Sequence, residues 1–258
     1  MTIPTAGNLE GIHNFRDYGG YRADGGDVRR GLLFRSGQHV AATDPDLAIL
    51  AKLDIRTVID LRGITEREMR PCRRHEGWSG EVIAHDGETT SSPPHMDIGP
   101  EVTTADYARD RMLAVYTRMP DNPAMHAMFG RYLHALADRE GASLVHCFAG
   151  KDRTGIAVTL LLHILGVSED DQLHEFLLTN QSPTFHVLRA QSVPVMEKRL
   201  GRTMDEASVR ALLDVHEDYF ARFREVANKS HGSLDEWLKN AVKIDDPLRE
   251  RLRNKFVG

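Results

Sequence analysis

Short apolar runs separated by turn residues dominate the first third of the chain and recur near its middle. Residues 14–34 alternate around glycine-rich turns, a pattern typical of β structure. Residues 55–61 are rich in β-branched side chains, and residues 141–146 form a short apolar run directly before Cys147. We therefore predict buried strands at 55–61 and 141–146, and a further strand at 81–85.

Longer segments carry the pattern of helices. Thr43 is followed by a proline and two aspartates, which predicts a helix that begins there and ends near residue 53. Helical patterns run over 105–118 and 123–138, and the uninterrupted apolar character of 154–165 predicts a buried helix. The rest of the chain is also helical in pattern. Glycine and proline predict breaks in it near Pro183, Gly201, Gly232 and Pro247.

The order of these elements predicts an α/β fold. Strands alternate with helices, which favours a central, mostly parallel sheet flanked by helices, with a helical C-terminal portion over 169–258. A chain of 258 residues can form one core, so we expect a single domain over residues 1–258. Residues 87–104 hold three prolines and should form a loop. Segment 87–118 is therefore our candidate for a lid or specificity element, with an ordinary solvated helix as the alternative.

Composition and charge narrow the function further. The formal net charge of −5 gives no general attraction to nucleic acid or anionic membranes. No apolar run approaches the roughly 20 residues of a transmembrane helix, and the N-terminus lacks the pattern of a secretory signal. We therefore expect a cytoplasmic protein. In that reducing compartment Cys72 and Cys147 should be free thiols, so their reactivity is the property to consider. Anion binding would need a local concentration of hydrogen-bond donors.

Such a concentration is predicted in the segment HCFAGKDRTG, residues 146–155, between a buried strand and a buried helix. A glycine-bearing turn in this position exposes successive backbone N–H groups, and the following helix adds its unpaired donors and the positive end of its dipole. The predicted result is a phosphate cradle. Its residues are Phe148, Ala149, Gly150, Lys151, Asp152 and Arg153.

Two side chains give this cradle its chemistry. The positive field favours the thiolate form of Cys147, which is the nucleophilic form. Five residues lie between Cys147 and Arg153, so the loop can curl and bring the guanidinium to face the sulfur. Its planar fork can then hold two phosphate oxygens. Thr154 adds a hydroxyl that could bond the sulfur when a phosphocysteine breaks down.

The loop has three alternative interpretations. A Walker loop requires a glycine where Val145 stands and Ser or Thr where Asp152 stands, so that pattern fails twice. Cys147 could instead be a buried structural cysteine. A sulfurtransferase also places a cysteine in an anion-binding loop, but it does not explain the His-Cys pair or the Arg-Thr-Gly ending.

The loop matches the His-Cys-five residues-Arg-Ser/Thr signature of the protein tyrosine phosphatases. Further motifs narrow the resemblance to bacterial tyrosine and dual-specificity phosphatases with an atypical loop, similar to secreted mycobacterial and listerial enzymes. It covers roughly residues 13–166. The motifs are NFRD at 14–17 with Gly19 and Gly20, RGLLFRS at 30–36, TVIDLR at 57–62 with Glu66, and KDR at 151–153.

The resemblance implies a phosphocysteine intermediate, no metal and no cofactor. It also implies action on phosphotyrosine, and in some members on phosphoserine, phosphothreonine and phosphoinositides. Because relatives are sometimes exported without a recognisable signal, export is the alternative to a cytoplasmic location. The expected partners are a phosphorylated protein or a phosphoinositide as substrate, with no nucleic acid and no integral membrane segment. No sequence feature indicates an oligomeric state.

The proton donor is the least determined part of the site. Asp152 lies within the loop and is the first candidate for the general acid, with a structural pairing to Lys151 or Arg153 as the alternative. Asp60 is the second candidate, because strand ends gather around the ligand crevice of α/β sheets. Asp60 could also orient Arg153 or belong to a structural ion-pair network. Asp86 is a weaker candidate.

Other residues receive supporting roles. Lys151 is expected to be a second, mobile cation at the mouth of the pocket, or simply a solvated lysine. In the family, the histidine before the nucleophile shapes the thiolate environment, here His146, and the N-terminal segment packs beside the loop, here with Asn14. Cys72 could form a disulfide with Cys147 under oxidation. The histidines show no metal-ligand spacing with Cys72, so no zinc site is predicted.

The sequence therefore predicts a phosphatase that hydrolyses phosphate monoesters through a phosphocysteine. The competing hypothesis is an inactive module that recognises phosphorylated partners. The intact pair of Cys147 and Arg153 disfavours that second hypothesis.

Overall fold

A computed structural model describes residues 9–89 and 104–258. Its strands and helices account for the predicted α/β class. The strands are β1 (Arg16–Asp17), β2 (Arg22–Ala23), β3 (Gly26–Asp27), β4 (Leu33–Ser36), β5 (Ile55–Asp60), β6 (Glu81–Ala84) and β7 (Ala142–His146). The helices of the described residues are α1 (Asp44–Ala51), α2 (Ile64–Met69), α3 (Ala105–Arg118), α4 (Pro123–Asp138), α5 (Asp152–Ile164), α6 (Glu169–Leu177), α7 (Phe185–Leu200), α8 (Glu206–Leu213), α9 (Glu217–His231), α10 (Leu234–Asn240) and α11 (Asp246–Phe256).

The main sheet has the strand order β1-β4-β7-β5-β6, and β2 pairs with β3 in a separate hairpin. Strands β4, β7, β5 and β6 run parallel, and only β1 is antiparallel to its neighbour. Strand β7 lies at the centre and is fully buried. Its last residue, His146, pairs with Ser36 on one side and with Asp60 on the other. The carboxyl ends of three parallel strands therefore meet where the chain enters the loop at Cys147.

Two apolar layers cover the sheet. Helix α1 packs on one face, where Leu47 and Leu50 join Phe34 and Val58 in a buried cluster. The other face carries the larger core, centred on α5, whose residues are all buried except His163. Helix α5 contacts α4, α6 and α11, so both the strand before the loop and the helix after it are fixed by core packing. No helix in the described ranges is long and apolar enough to cross a membrane.

The predicted fold class is confirmed, and most predicted elements appear with small changes in their ends. Thr43 caps α1 as expected: its hydroxyl accepts a hydrogen bond from the Asp46 amide. Helix α2 was not predicted, because none of its residues is buried and no apolar stripe marks it. The proline near position 247 begins α11 where a break was predicted, which suits its missing N–H.

Two predicted segments differ from the structure or lie partly outside the described residues. The β structure predicted over residues 14–34 is less continuous than expected, because Val28 makes an isolated bridge to Val257 and β4 begins at Leu33. The loop predicted at 87–104 falls largely on residues 90–103, which lie outside the described residues. The helix predicted to follow that loop is α3.

Candidate active site

The predicted phosphate loop joins β7 to α5 and curls against the end of β4. Gly150 has a φ of +68°, and a Cβ atom there would lie 2.3 Å from the Ser36 carbonyl, so only glycine fits this turn. The backbone N–H groups at positions 149–153 donate no hydrogen bond to any described residue. Buried backbone amides without a partner are rare. Here five consecutive ones follow Cys147, whose exposed fraction is 2%.

The Gly150 carbonyl is held from behind by two donors. Asn14 Nδ2 lies 2.7 Å from this oxygen, and Arg35 Nη2 lies 2.6 Å from it. In a trans peptide the carbonyl and the next N–H point in opposite directions. Fixing the carbonyl toward Asn14 and Arg35 therefore aims the Lys151 N–H toward the opposite side, into the cradle.

Arg35 is in turn held by Glu175, a residue that sequence reasoning missed. Arg35 is fully buried, and its Nη1 lies 3.1 Å from Glu175 Oε1. Arg16 approaches the same carboxylate at 3.0 Å and also donates to the Asn14 side chain. Burial lowers the pKa of Arg35 to about 10 despite Glu175, which leaves it charged at neutral pH. The loop is thus supported by a buried two-arginine, one-carboxylate cluster.

Arg153 lies on the other side of the loop and is locked by Glu66. Its Nη1 and Nη2 atoms donate to the two Glu66 oxygens at 2.6 and 3.0 Å, and Nη1 also donates to the Leu61 carbonyl at 3.2 Å. Burial by itself disfavours the charge on Arg153, but Glu66 outweighs it and raises the pKa of the guanidinium. Arg153 is therefore charged, with its plane fixed by a bidentate pair.

Asp152 is 6% exposed and accepts two hydrogen bonds on one oxygen. Tyr116 donates its hydroxyl to Asp152 Oδ1 at 2.7 Å, and Lys151 Nζ donates to the same atom at 2.8 Å. Lys151 also donates to the Asp214 carbonyl at 3.3 Å and is 1% exposed. The prediction of a mobile or solvated lysine at the mouth of the pocket was therefore wrong, because the ammonium is buried and bound to fixed oxygens.

Asp60 lies at the end of β5 and is bound on both oxygens. Arg62 donates from Nε to Oδ1 at 2.9 Å and from Nη2 to Oδ2 at 2.7 Å, and its backbone N–H also donates to Oδ1. Burial by itself raises the pKa of Asp60, but nearby positive charge and these hydrogen bonds lower it to about 2. Arg62 is the relevant cation, since burial lowers the pKa of His146 to about 4 and leaves that ring neutral at pH 7.

His146 directly precedes Cys147, and Thr154 lies in the first turn of α5. His146 is fully buried, donates from Nδ1 to the Cys147 carbonyl at 3.2 Å and stacks on His39 with ring centroids 5.4 Å apart. Thr154 is also fully buried, and its hydroxyl makes no hydrogen bond within the described part of the chain. That hydroxyl is available to a group that enters the loop.

Cys72 lies beside the Asp60 pair. Its sulfur accepts hydrogen bonds from the His39 amide and from Arg62 Nη2, both at 3.2 Å, and burial raises the pKa of the thiol. Ligand-type atoms of Asp60, Cys72 and His146 lie within 4.8 Å of one another, a grouping that the sequence spacing did not indicate. The Arg62 guanidinium donates to both Asp60 and Cys72, so it already supplies the positive charge that a metal ion would bring to this group.

The structure brings most of the predicted site residues to one place. Asn14 contacts the loop through the Gly150 carbonyl, Glu66 contacts it through Arg153, and Asp60 lies 3.6 Å from the His146 ring. Asp86 does not take part. The Asp86 side chain is 91% exposed and pairs with Arg131. Tyr116 and Glu175 were not predicted, because nothing in the sequence near either residue marks it. Only the fold places them against the loop.

Comparisons with known proteins agree with this geometry. Residues 7–258 match the tyrosine phosphatase family. The chain is 30% identical to a protein of Cupriavidus necator named as a tyrosine-protein phosphatase, over 94% of this chain and 89% of that one. It is 27% identical to the triple specificity protein phosphatase PtpB of Mycobacterium tuberculosis, over 97% of this chain and 98% of that one. The chain therefore belongs to the tyrosine phosphatase family and is a cysteine-dependent phosphatase.

Proposed function

We propose that the protein hydrolyses phosphate monoesters through a phosphocysteine on Cys147. The observation that carries this proposal is the run of backbone amides at positions 149–153 that donate to no described residue and directly follow a buried cysteine, with Arg153 at its end. Preorganised donors of this kind stabilise charge that develops on a transferring phosphoryl group without the cost of reorganising water.

In the first step, the Cys147 thiolate forms a bond to phosphorus while the bond between phosphorus and the ester oxygen breaks. The loop amides and Arg153 hold the three phosphoryl oxygens through the transition state. Asp152 gives its proton to the leaving oxygen, which departs as an alcohol.

In the second step, a water molecule attacks phosphorus and the sulfur–phosphorus bond breaks. Asp152, now ionised, takes a proton from the water, and phosphate leaves. The Thr154 hydroxyl can donate to the sulfur as it regains its negative charge. Each group then returns to its starting state, so one water is consumed for each phosphate released.

Asp152 suits the acid role better than Asp60. Both oxygens of Asp60 accept hydrogen bonds from Arg62, and its pKa of about 2 leaves it without a proton at neutral pH. The described hydrogen bonds to Asp152 end on Oδ1 alone. Its second oxygen is therefore the one that can carry a proton.

We propose that the substrates include phosphotyrosine together with alkyl phosphates such as phosphoserine, phosphothreonine and phosphoinositides. Two features support this range. The loop contacts described above would engage the phosphoryl group itself, and the Mycobacterium tuberculosis relative is named for triple specificity.

The test is phosphate release from four substrates in the presence of a chelator: an aryl phosphate, a phosphotyrosine peptide, a phosphothreonine peptide and a phosphoinositide. We expect turnover of the first two at least, and loss of it in Cys147→Ser. The matched control is Cys72→Ser, which should keep its activity. Turnover that survives Cys147→Ser would contradict the mechanism. Tight phosphate binding with no turnover of any substrate would instead support an inactive recognition module.

A further inference from the structure

Tyr116 lies outside the loop but contacts one of its side chains, that of Asp152. It lies in the last turn of α3, it is fully buried, and its hydroxyl donates to Asp152 Oδ1 at 2.7 Å. Its ring stacks on Tyr219, with centroids 5.1 Å apart and planes at 20°, and meets the edge of Phe176 at 6.1 Å. Aromatic packing on two sides fixes the direction of the phenol.

Lys151 shares the same carboxylate oxygen as Tyr116. The two donors meet at Oδ1 over 2.8 and 2.7 Å, and no described residue donates to Oδ2. A proton on Oδ1 would point toward two donors and weaken the hydrogen bonds that this oxygen accepts, whereas a proton on Oδ2 leaves both in place. The arrangement therefore distinguishes two oxygens that are chemically equivalent in a free carboxyl group.

We propose that Tyr116 is a positioning residue that holds Asp152 with Oδ2 as its proton-carrying oxygen, and so enables the site to cleave alkyl phosphates. This inference rests on the acid role of Asp152 in the proposed function. Phenols such as tyrosine have a pKa near 10 and can leave with little help from an acid. The alcohols of serine, threonine and inositol are far weaker acids, so their release depends on a well-placed proton.

The experiment measures kcat/KM for wild type and Tyr116→Phe on aryl phosphates whose leaving phenols range from strongly to weakly acidic. A phosphothreonine peptide is added to the series. Tyr132→Phe is the matched control, because Tyr132 is equally buried and its hydroxyl, among the described residues, bonds to that of Tyr18 alone, at 2.9 Å. Thermal unfolding of each variant shows that it is folded.

We expect Tyr116→Phe to lose about tenfold more activity on the least acidic leaving groups than on the most acidic one, a fraction of the 10²–10⁴-fold that a general acid contributes. Tyr132→Phe should change all substrates by the same factor. An equal loss on all substrates in Tyr116→Phe would overturn the inference, since it would show only a structural role.

Asp152→Asn separates this inference from the proposed function. If Asp152→Asn shows the leaving-group dependence and Tyr116→Phe does not, the acid role stands and the role of Tyr116 is refuted. If Asp152→Asn loses activity equally on all substrates, the acid role fails, and the positioning role fails with it.

Discussion

Asp60 and Asp152 are both nearly buried beside the same loop, with exposed fractions of 3% and 6%, yet their surroundings differ. Asp60 faces a guanidinium that occupies both of its oxygens. Asp152 accepts from a phenol and an ammonium on one oxygen only. Burial by itself raises the pKa of Asp60, but the Arg62 contacts outweigh it, and the pKa is lowered to about 2. The Arg62 contacts hold Asp60 as an anion, whereas Asp152 keeps one oxygen to which no described residue donates, as the proposed acid role requires.

The largest effect should come from the aspartate that exchanges a proton. Asp152→Asn keeps the shape of the side chain but removes the acid, so we expect kcat/KM on a phosphothreonine peptide to fall by about 10²–10⁴-fold. Activity on the most acidic aryl phosphate should fall much less. The thermal unfolding temperature should change little. An unchanged rate on the peptide would remove Asp152 from the mechanism.

Asp60, which the Arg62 contacts hold as an anion, should contribute mainly to stability. Asp60→Ala leaves the Arg62 charge buried, since that side chain is 1% exposed, and breaking such a pair costs about 3–5 kcal/mol. Urea unfolding of wild type and Asp60→Ala measures this difference. The exposed pair of Asp86 and Arg131 is the matched control, and Asp86→Ala should cost less than about 1 kcal/mol. Equal costs would contradict the contrast between buried and exposed pairs.

The buried ring of His146, which lies 3.6 Å from Asp60, should also make the free energy of unfolding sensitive to acid. Burial lowers the pKa of His146 from 6.5 to about 4, so the unfolded chain binds a proton between these values that the folded chain does not. The contribution of His146 to stability is therefore complete above pH 6.5 and falls by about 3 kcal/mol as the pH falls toward 4. The rings of His13 and His39, whose pKa values burial also lowers, add to the total loss. Urea unfolding between pH 7 and 4 measures the loss. His146→Gln should reduce the slope, and an unchanged slope would argue against a neutral, buried ring.

The smallest effect is expected at Cys72. Its sulfur accepts from Arg62 and the His39 amide, and a serine hydroxyl can accept the same bonds. Cys72→Ser should therefore keep kcat/KM within about twofold and lose no more than about 1 kcal/mol of stability. A large loss of activity under reducing conditions would mean that Cys72 acts in catalysis and not merely beside Asp60.

Local features explain what the sequence could predict. The strand at 55–61, the strand before Cys147 and the buried helix after the loop are all visible in runs of apolar residues, and the loop chemistry lies within ten consecutive residues. The supporting contacts are different. Tyr116 is 36 residues from Asp152, and Glu175 is 140 residues from Arg35. No local pattern links such partners, because they are brought together by the packing of α3 on α8 and α9 and of α6 on α5.

The same reasoning explains the error at Lys151. A lysine next to a glycine in a loop is usually solvated, and the sequence offers no sign of a cover. The structure places two acceptors at its ammonium, the Asp214 carbonyl and the Asp152 carboxylate oxygen that Tyr116 also binds. Tyr116 lies in α3 and Asp214 directly follows α8, so both are far from Lys151 in the chain. Burial of a charged loop residue depends on these distant elements, so only the fold could reveal it.

The central claim is that Cys147 carries the phosphoryl group during turnover. The most direct measurement is a rapid acid quench of the protein during hydrolysis of an aryl phosphate, followed by mass spectrometry of its peptides. Asp152→Asn should be included, since slower hydrolysis would increase the trapped species. We predict one phosphoryl group on the peptide that contains Cys147, and none in Cys147→Ser. Sustained turnover with the phosphoryl group on another residue, or on none, would contradict the account.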